Sequence, residues 1–172
     1  MIFWGLFLIP FLFIGLMLLG AAFSDLPTIL ELENPKSNLA TEVFSSDGKI
    51  IGQYYTENRV NVTYQDLSPH LTNALVATED ERYFDHAGID FIALLRVMKG
   101  VITGNTSTGG GSTISQQLAK MLFSDRPDSK WERVTQKFQE WIISVKLERR
   151  YTKEEIVSMY LNRFDFINNA VG

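Results

Sequence analysis

The chain has 172 residues, which is enough for one domain with an appendage. It contains no cysteine, and this excludes disulfides, thiolate metal sites and a cysteine nucleophile. Its formal net charge of −4 provides no broad cationic surface and argues against a general nucleic-acid binder.

Residues 1–23 are predicted to form a membrane anchor. Residues 2–23 carry no charged side chain, and as an α-helix they would span about 33 Å, enough for the hydrocarbon core of a bilayer. A cleaved signal peptide is the alternative, although the basic n-region is missing and the apolar run is long for an h-region. Residues 24–39, which are rich in proline, asparagine and acids, are predicted to be a juxtamembrane linker.

The remainder of the chain is predicted to be mainly α-helical, with a small β-hairpin at its start. Residues 41–55 alternate around Asp47-Gly48, which is a strong hairpin signal. Thr152 and Glu155 have the spacing of a capping box. The predicted helices cover residues 69–84, 90–102, 113–123, 129–150 and 153–162.

The segment ATEDERYFDHAGID (77–90) offers a candidate general base. By helical spacing, Glu79 lies among Leu75, Val76 and Tyr83, in the middle of an apolar stripe. Burial favours the neutral form of a carboxylate, and a carboxylate tuned in this way suits a general base near neutral pH. A solvated acid cluster at a helix end explains the same residues equally well.

His86, with Gly88 close behind it, is predicted to form the turn that ends this helix. A lone histidine is more often structural than catalytic, and the HExxH spacing of a zinc site does not occur here. The sequence therefore predicts no metal site.

The segment GGGSTISQQLAKML (109–122) predicts a glycine-led amphipathic helix that Ser112 or Thr113 caps. Its polar face carries Thr113, Gln117 and Lys120, opposite the apolar face. A helix N-terminus behind glycines attracts anions, and a lysine two turns along adds a positive charge. These features suit a phosphate or pyrophosphate. An ordinary capped helix with a solvated polar face is the alternative.

The helix predicted at 129–150 contains a second candidate acid. Glu140 lies off its predicted core stripe, on the same side as Arg133 and Lys137. It is either a surface ion-pair acid or the second carboxylate of a two-acid site, which the basic neighbours would keep ionised. The predicted core stripe consists of Val134, Phe138, Trp141, Ile142 and Val145.

The order of three segments, ATEDERYFDHAGID, GGGSTISQQLAKMLF and KLERRYTKEEIVSMYLNRFDF, resembles the peptidoglycan glycosyltransferase domain of glycosyltransferase family 51. That domain occurs in class A penicillin-binding proteins and in monofunctional transglycosylases. The resemblance covers residues 40–172 and implies a mainly α, lysozyme-like domain behind one transmembrane helix. It also implies a single-pass protein of the cytoplasmic membrane whose catalytic domain lies on the outer, periplasmic side.

The implied reaction polymerises lipid II into β-1,4-linked glycan, with the growing lipid-linked strand, membrane lipid and cell-wall synthesis proteins as partners. Glu79 matches the general base that deprotonates the 4-hydroxyl of the acceptor sugar, whose oxygen attacks the anomeric carbon with inversion. Glu140 matches the second family glutamate, in the donor site. A divalent cation, Mg²⁺ or Mn²⁺, can assist the pyrophosphate leaving group in such enzymes, but no acid cluster in the sequence specifies a site.

Ten further residues complete the implied substrate site. Those implied to contact the donor or its phosphates are Thr113, Gln117 and Lys120, with Ser112, Arg133 and Lys137 beside them. Those implied to position or support the first motif are Asp80, Phe84, His86 and Gly88.

The chain departs from the family pattern in places. The family often has Arg-Lys four and three residues before the second glutamate; here these are Gln136 and Lys137, and Arg133 one turn earlier can substitute. The family often has Glu where this chain has Ser158. The last portion of the domain is missing after Gly172, so we expect a piece of a longer protein.

Two other functions fit parts of the sequence. A lysozyme-like glycan hydrolase also works with one or two carboxylates, but the lysine face and the anchor disfavour it. A catalytically silent, membrane-anchored scaffold for cell-wall partners is the second alternative, and the set of Glu79, Lys120 and Glu140 argues against it.

Overall fold

A computed structural model provides the structure of the protein. It describes residues 2–23, 26, 41–54, 62–105, 109–124, 127–166 and 170–171. Apart from position 26, the predicted linker at 24–39 lies outside the described residues.

The described part of the chain is mainly α-helical, as predicted. The α-helices are α1 (Ile2–Ala22), α2 (Pro69–Glu79), α3 (Phe91–Thr103), α4 (Ile114–Phe123), α5 (Lys130–Arg150) and α6 (Lys153–Leu161). The short 3₁₀ helices cover Tyr64–Asp66 and Tyr83–Asp85. The strands are β1 (Thr41–Phe44), β2 (Ile50–Tyr54), β3 (Asp165–Phe166) and β4 (Ala170–Val171).

The predicted hairpin is confirmed. Strands β1 and β2 pair antiparallel around the turn that contains Asp47-Gly48, where Gly48 adopts a φ of +79°. The ladder has a β-bulge between Val43 and Phe44. A second, shorter antiparallel pair joins β3 to β4 near the end of the chain.

Capping signals place most helix ends where the sequence predicts them. The side chains of Thr113, Ser129 and Thr152 each accept a hydrogen bond from a backbone N–H in the first turn of the following helix. Thr152 and Glu155 form the predicted capping box. Helix α3 ends at Gly104 in the left-handed conformation, also as predicted.

One predicted helix is too long. The helix expected over 69–84 ends at Glu79, because Asp80 leaves the helical conformation, with φ of −158° and ψ of 73°, and the chain then enters a 3₁₀ turn at Tyr83–Asp85. The residues that follow Glu79 therefore belong to a loop that runs back toward α4 and α5.

The hydrophobic core lies among α4, α5 and α6, together with the loop after α2. Its fully or almost fully buried members are Tyr83, Ile114, Leu118, Ala119, Ile143, Leu147, Ile156, Val157, Tyr160 and Leu161. The N-terminal turn of α4 is held against the first motif segment, because the N–H of Ile114 donates to Asp80 and the hydroxyl of Thr113 donates to the carbonyl oxygen of Gly88.

The predicted core stripe of α5 is wrong. Val134 is exposed, and the other members of that stripe are only half-buried. The buried residues are Gln136, Glu140, Ile143, Ser144 and Leu147. Hydrophobicity alone could not identify this face, because polar side chains are buried there through hydrogen bonds and ion pairs to neighbouring elements.

Helix α1 confirms that the N-terminal segment is helical. It contacts α5, and the ring centroids of Phe13 and Trp131 lie 6.3 Å apart. Within the described residues, no helix qualifies as both long and apolar enough to cross a membrane.

Candidate active site

Glu79 is the last residue of α2, and its side chain is exposed. The prediction that it sits within an apolar stripe is wrong, because the helix stops there. Tyr83, which the helical spacing placed beside it, is fully buried in the next 3₁₀ turn. The carboxylate of Glu79 accepts a hydrogen bond from Nε2 of Gln117 at 2.9 Å. An exposed carboxylate that accepts this hydrogen bond keeps lone pairs that a bound group can reach.

A cavity of about 160 Å³ lies beside Glu79. Its walls come from the end of α2, from Arg96 of α3 and from residues 109–113. Arg96 donates to the carbonyl oxygen of Gly110 at 3.1 Å and so ties the glycine segment to α3. The fold therefore joins the first and second motif segments around one small, polar space.

Asp90 and Arg82 also line this cavity. Asp90 caps α3 by accepting the backbone N–H groups of Ile92 and Ala93, both at 2.9 Å, and it pairs with Arg82 at 2.6 Å. Burial acts to raise the pKa of Asp90, but the hydrogen bonds from Ala93 and Arg82 outweigh it and hold the pKa below its usual value. This part of the wall is a fixed, internally neutralised ion pair.

Asp80 is buried and serves the frame of the site. Its Oδ2 accepts the backbone N–H of Ile114, the first residue of α4, at 3.0 Å. Nε2 of His86 lies 3.0 Å from Oδ1 of Asp80, and the N–H of Gly88 donates to Nδ1 of His86 at 3.3 Å. This pattern places the ring proton on Nε2, so that His86 donates to Asp80. Both residues support the site from behind, as the resemblance implies.

The carbonyl oxygen of Gly88 joins three elements of the site. It accepts hydrogen bonds from Oγ1 of Thr113 at 2.7 Å, Nε2 of Gln116 at 3.2 Å and Oγ of Ser144 at 3.3 Å. Gly88 has a φ of +91°, and a Cβ atom there would come within 2.9 Å of the Ser144 backbone. Only glycine fits this position without displacing α5.

The N-terminus of α4, where an anion site is predicted, is partly occupied by groups of the protein itself. Two of its first N–H groups are already used, since Ile114 donates to Asp80 and Gln116 donates to the Thr113 hydroxyl. Thr113 is almost completely buried and is therefore not placed to contact a substrate. The helix attracts an anion, as expected, but that anion is a carboxylate of the protein itself.

The other polar residues of this segment remain accessible in part. Lys120 is exposed, whereas Ser112 and Gln117 are half-buried. Ser112 lines the cavity and accepts a hydrogen bond from Nζ of Lys137 at 2.7 Å. Ser112, Gln117 and Lys120 therefore keep the accessible position that substrate contact requires.

Glu140 is buried, with only 1% of its surface exposed. Each carboxylate oxygen has a cationic partner: NH1 of Arg133 lies 2.6 Å from Oε1, and Nζ of Lys137 lies 2.9 Å from Oε2. The surface ion-pair alternative for Glu140 is thus wrong. Arg133 reaches Glu140 from two turns away, and its role in place of the family's arginine stays a prediction.

Phe84 lies apart from this arrangement. Its side chain is 57% exposed, and its ring makes an edge contact with Tyr83, with centroids 5.2 Å apart. It does not line the cavity beside Glu79.

One cluster of acids and histidine has the spacing of a metal site in the described part of the chain. Ligand atoms of Asp80, His86 and Asp90 lie within 4.8 Å of one another. The atoms that would bind a metal already form hydrogen bonds within the protein. Asp80 bonds to His86 and Ile114, and Asp90 bonds to two backbone N–H groups and Arg82. Both ring nitrogens of His86 are also used. The cluster therefore does not fit a resident divalent cation.

Several residues of the site were missed by the sequence analysis. Gln116 is fully buried and holds Gly88, although it adjoins the polar face of an amphipathic helix. Tyr160 is only 2% exposed, and its hydroxyl donates to Oε1 of Gln117 at 3.1 Å. A hydroxyl in a helix that packs on the core was the available signal, since a buried phenol needs a hydrogen-bond partner.

A partly buried ion pair supports the back of the site and was also missed. Glu148 accepts hydrogen bonds from Ser115 at 2.5 Å and from Nζ of Lys153 at 2.8 Å. Lys153 also donates to the carbonyl oxygen of His86 at 2.8 Å and lies 4.1 Å above the ring of Tyr83. The pair links α4, α5 and α6 to the loop of the first motif.

Comparison with known proteins identifies the family of the chain. A family model described as Transglycosylase matches residues 47–172. The chain belongs to the transglycosylase family. It is 35% identical to penicillin-binding protein 1A of Vibrio cholerae over 140 residues, which cover 81% of this chain and 16% of that protein.

Two further relatives are similar at the same level. The chain is 31% identical over 148 residues to penicillin-binding protein 1A of Escherichia coli, covering 86% of the chain and 17% of the relative. It is 34% identical over 162 residues to penicillin-binding protein 1A of Aquifex aeolicus, covering 94% of the chain and 22% of the relative. The matched region thus spans about a fifth of the length of these relatives.

Proposed function

We propose that this chain carries the glycan-polymerising activity of a peptidoglycan glycosyltransferase, with lipid II and the growing lipid-linked strand as substrates. The observation that carries the proposal is the placement of Glu79. Its carboxylate is exposed beside a polar cavity, is oriented by Gln117, and belongs to a domain in which Glu140 holds two cations. We further propose that the helical domain has a lysozyme-like arrangement.

Glu79 acts as the general base. It accepts the proton of the 4-hydroxyl group of the acceptor sugar while that oxygen attacks the anomeric carbon of the donor. The bond from the anomeric carbon to the lipid pyrophosphate breaks, and the pyrophosphate leaves with the electron pair. Attack from the face opposite the leaving group gives the inverted, β-1,4-linked product.

The cationic residues stabilise the departing pyrophosphate. Arg133 and Lys137 are each partly exposed, with 39% and 29% of their side chains accessible, while Glu140 fixes one end of both. Lys120 adds an exposed ammonium group on α4, one turn beyond Gln117. Preorganised cations next to developing negative charge lower the barrier because they need little reorganisation during the reaction.

In this mechanism Glu140 is an anchor for cations and not an acid or base. Both of its carboxylate oxygens are occupied by cations and the side chain is buried, so no lone pair faces the substrate side. Asp80, His86, Gly88 and Thr113 maintain the shape of the site from inside the protein.

We propose that the domain works at the surface of the cytoplasmic membrane, on its outer side, with the N-terminal segment as a single-pass anchor. The uncharged sequence of residues 2–23 and the helical state of α1 support the anchor. Helix α3 adds a row of exposed apolar side chains that would favour contact with lipid. They are Phe91, Ile92, Leu95, Met98, Val101 and Ile102.

The test is polymerisation of lipid II by the full-length protein in detergent, compared with its Glu79→Gln variant. We expect the wild type to form polymer that a muramidase digests, and the variant to be slower by about 10² to 10⁴-fold, the usual contribution of a general base. Because Glu79 is exposed, the melting temperature of the variant should match the wild type.

The alternatives give different products. A hydrolase would shorten preformed glycan and leave lipid II unpolymerised, and a scaffold would do neither. Either result from a folded wild-type protein would overturn the proposal. Polymer formation at the wild-type rate by Glu79→Gln would retain the enzyme but refute the assigned base.

A further inference from the structure

Two hydrogen bonds connect the core of the domain to Glu79. The hydroxyl of Tyr160 donates to Oε1 of Gln117 at 3.1 Å, and Nε2 of Gln117 donates to Oε2 of Glu79 at 2.9 Å. The three residues belong to α6, α4 and α2 respectively. Solvent accessibility increases along these two hydrogen bonds, from buried Tyr160 through half-buried Gln117 to exposed Glu79.

The direction of these bonds follows from the chemistry of the three groups. An ionised carboxylate can only accept hydrogen bonds, so Gln117 must turn its NH₂ group toward Glu79. The amide oxygen of Gln117 then faces Tyr160, and the phenol must be the donor. The opposite amide orientation would place the Gln117 oxygen against a carboxylate oxygen, which is repulsive.

We call the two hydrogen bonds that link Tyr160, Gln117 and Glu79 the relay. Tyr160 is well suited to be its fixed end. Its ring is buried in the core and stacks on Phe164, with centroids 5.2 Å apart and planes inclined by 29°. Burial, and to a smaller extent the negative charge of Glu79, raise the pKa of Tyr160 to about 12. The hydroxyl thus stays protonated and available as a donor at any pH at which the enzyme would work.

We propose that Tyr160 is a positioning residue for the base, acting through Gln117 to hold the Glu79 carboxylate in one orientation. The role rests on the proposed function of Glu79. Both Glu79 and Gln117 have flexible side chains, and their ordering by a rigid, buried donor removes conformational freedom before the substrate arrives. Small errors in the position of a reacting group cost much of the rate.

The kinetic test uses Tyr160→Phe in the full-length protein, which keeps the ring and removes only the hydroxyl. We expect kcat for lipid II polymerisation to fall about 10-fold with KM within about twofold, because the acceptor hydroxyl still binds but meets a poorly oriented base. Tyr64→Phe is the matched control and should keep the wild-type rate. Tyr64 packs against the same core and lines a groove that contains neither Glu79 nor Gln117.

A double-mutant comparison separates positioning from a general structural role. In a Gln117→Leu background the relay is already broken, so Tyr160→Phe should reduce kcat no further. An equal loss of kcat in both backgrounds, or no loss in the single variant, would overturn the proposal. The proposal would also be overturned if kcat of Tyr160→Phe fell only because a lower melting temperature reduced the folded fraction.

A spectroscopic measurement tests the relay without relying on activity. The side-chain ¹⁵N amide resonance of Gln117, observed by NMR in selectively labelled full-length protein, should shift both in Tyr160→Phe and in Glu79→Ala, since each variant removes one partner of the amide. An unchanged resonance in either variant would refute the relay. A wild-type protein that fails to polymerise lipid II would instead refute the proposed function, while the resonance still decides the relay.

Discussion

Glu79 and Glu140 have the same side chain, yet the fold gives them opposite surroundings. Glu79 ends a helix, faces solvent beside a cavity and has one neutral donor, Gln117. Glu140 is buried in the middle of α5 and has a cation on each carboxylate oxygen. The first glutamate is accessible to a bound group, whereas the second is enclosed in an electrostatic cluster with two cations.

Under the proposed function, the difference divides two chemical tasks between identical side chains. Proton transfer needs an accessible carboxylate with little competition for its lone pairs. Binding of a pyrophosphate needs cations that stay in place, and a buried counter-charge holds them there while leaving part of each cation accessible. Variants that test the different surroundings of the two glutamates are therefore the most informative.

The largest effect on stability is expected from Gly88→Ala, because Gly88 joins the two halves of the site. The new Cβ would meet the Ser144 backbone at 2.9 Å, on a residue with φ of +91°. The strain and the displacement of α5 should reduce the free energy of unfolding by about 3 kcal/mol and disturb both glutamates together. Thermal or denaturant unfolding measures this loss.

Gly104→Ala is the matched control for that variant. Gly104 also has a positive φ, +69°, but nothing lies within 4 Å of its Cβ position. Its substitution should cost only about 1 kcal/mol, from backbone conformation alone. Equal losses in the two variants would show that the close approach of Gly88 to α5 contributes nothing.

An intermediate effect is expected from Glu140→Gln, which neutralises the buried carboxylate and leaves Arg133 and Lys137 without their counter-charge. Breaking a fully buried pair costs about 3–5 kcal/mol. Here the partly exposed cations can turn to water, and we expect about 2 kcal/mol in unfolding experiments. The same substitution at exposed Glu79 should leave stability unchanged, and similar losses at both positions would remove the distinction between them.

The smallest effect is a loss of stability at alkaline pH, which arises from Tyr160 beside Glu79. The pKa of Tyr160 is about 12 in the folded protein, above its ordinary value of 10, because the phenol is buried near Glu79. The unfolded chain therefore releases this proton first as the pH rises, and stability decreases between about pH 10 and pH 12. The contribution is about 1 kcal/mol at pH 11.

Tyr160→Phe should reduce the loss of unfolding free energy with rising pH when unfolding is measured from pH 9 to pH 11.5. Some decrease should remain, because burial and the charges of Glu148 and Asp80 also raise the pKa of Tyr83. An identical pH dependence in the wild type and the variant would contradict the buried, protonated state of Tyr160.

The sequence was a good guide wherever a local signal determines the structure. The hairpin at Asp47-Gly48, the capping box at Thr152 and the helix end at Gly104 all depend on residues within a few positions of one another. Their turn and capping chemistry is complete in the local sequence. Consequently, most helix boundaries could be predicted to within a residue or two.

The environment of the acids could not be predicted in the same way. Glu79 was expected to be buried because its neighbours at helical spacing are apolar, but the helix ends at that residue. Glu140 can be buried because Arg133 and Lys137 compensate its charge. Both outcomes depend on contacts between distant segments, which hydrophobic periodicity does not encode.

The predicted anion site at the N-terminus of α4 illustrates the same point. Glycines before a helix N-terminus do indicate a bound anion, and one is present. It is Asp80, which lies 34 positions earlier in the chain than its partner Ile114. Both residues can be read from the sequence, but the contact between them depends on the tertiary fold.

The most direct test of the division of roles is the polymerisation rate at saturating lipid II, measured for Glu79→Gln and Glu140→Gln in parallel and corrected for the folded fraction. We predict that Glu79→Gln loses about 10²-fold or more while remaining fully folded. Glu140→Gln should stay within about 10-fold of the wild-type rate and show its main defect as a higher KM. A folded Glu140→Gln protein as inactive as Glu79→Gln at saturation would contradict the assignment of base and anchor.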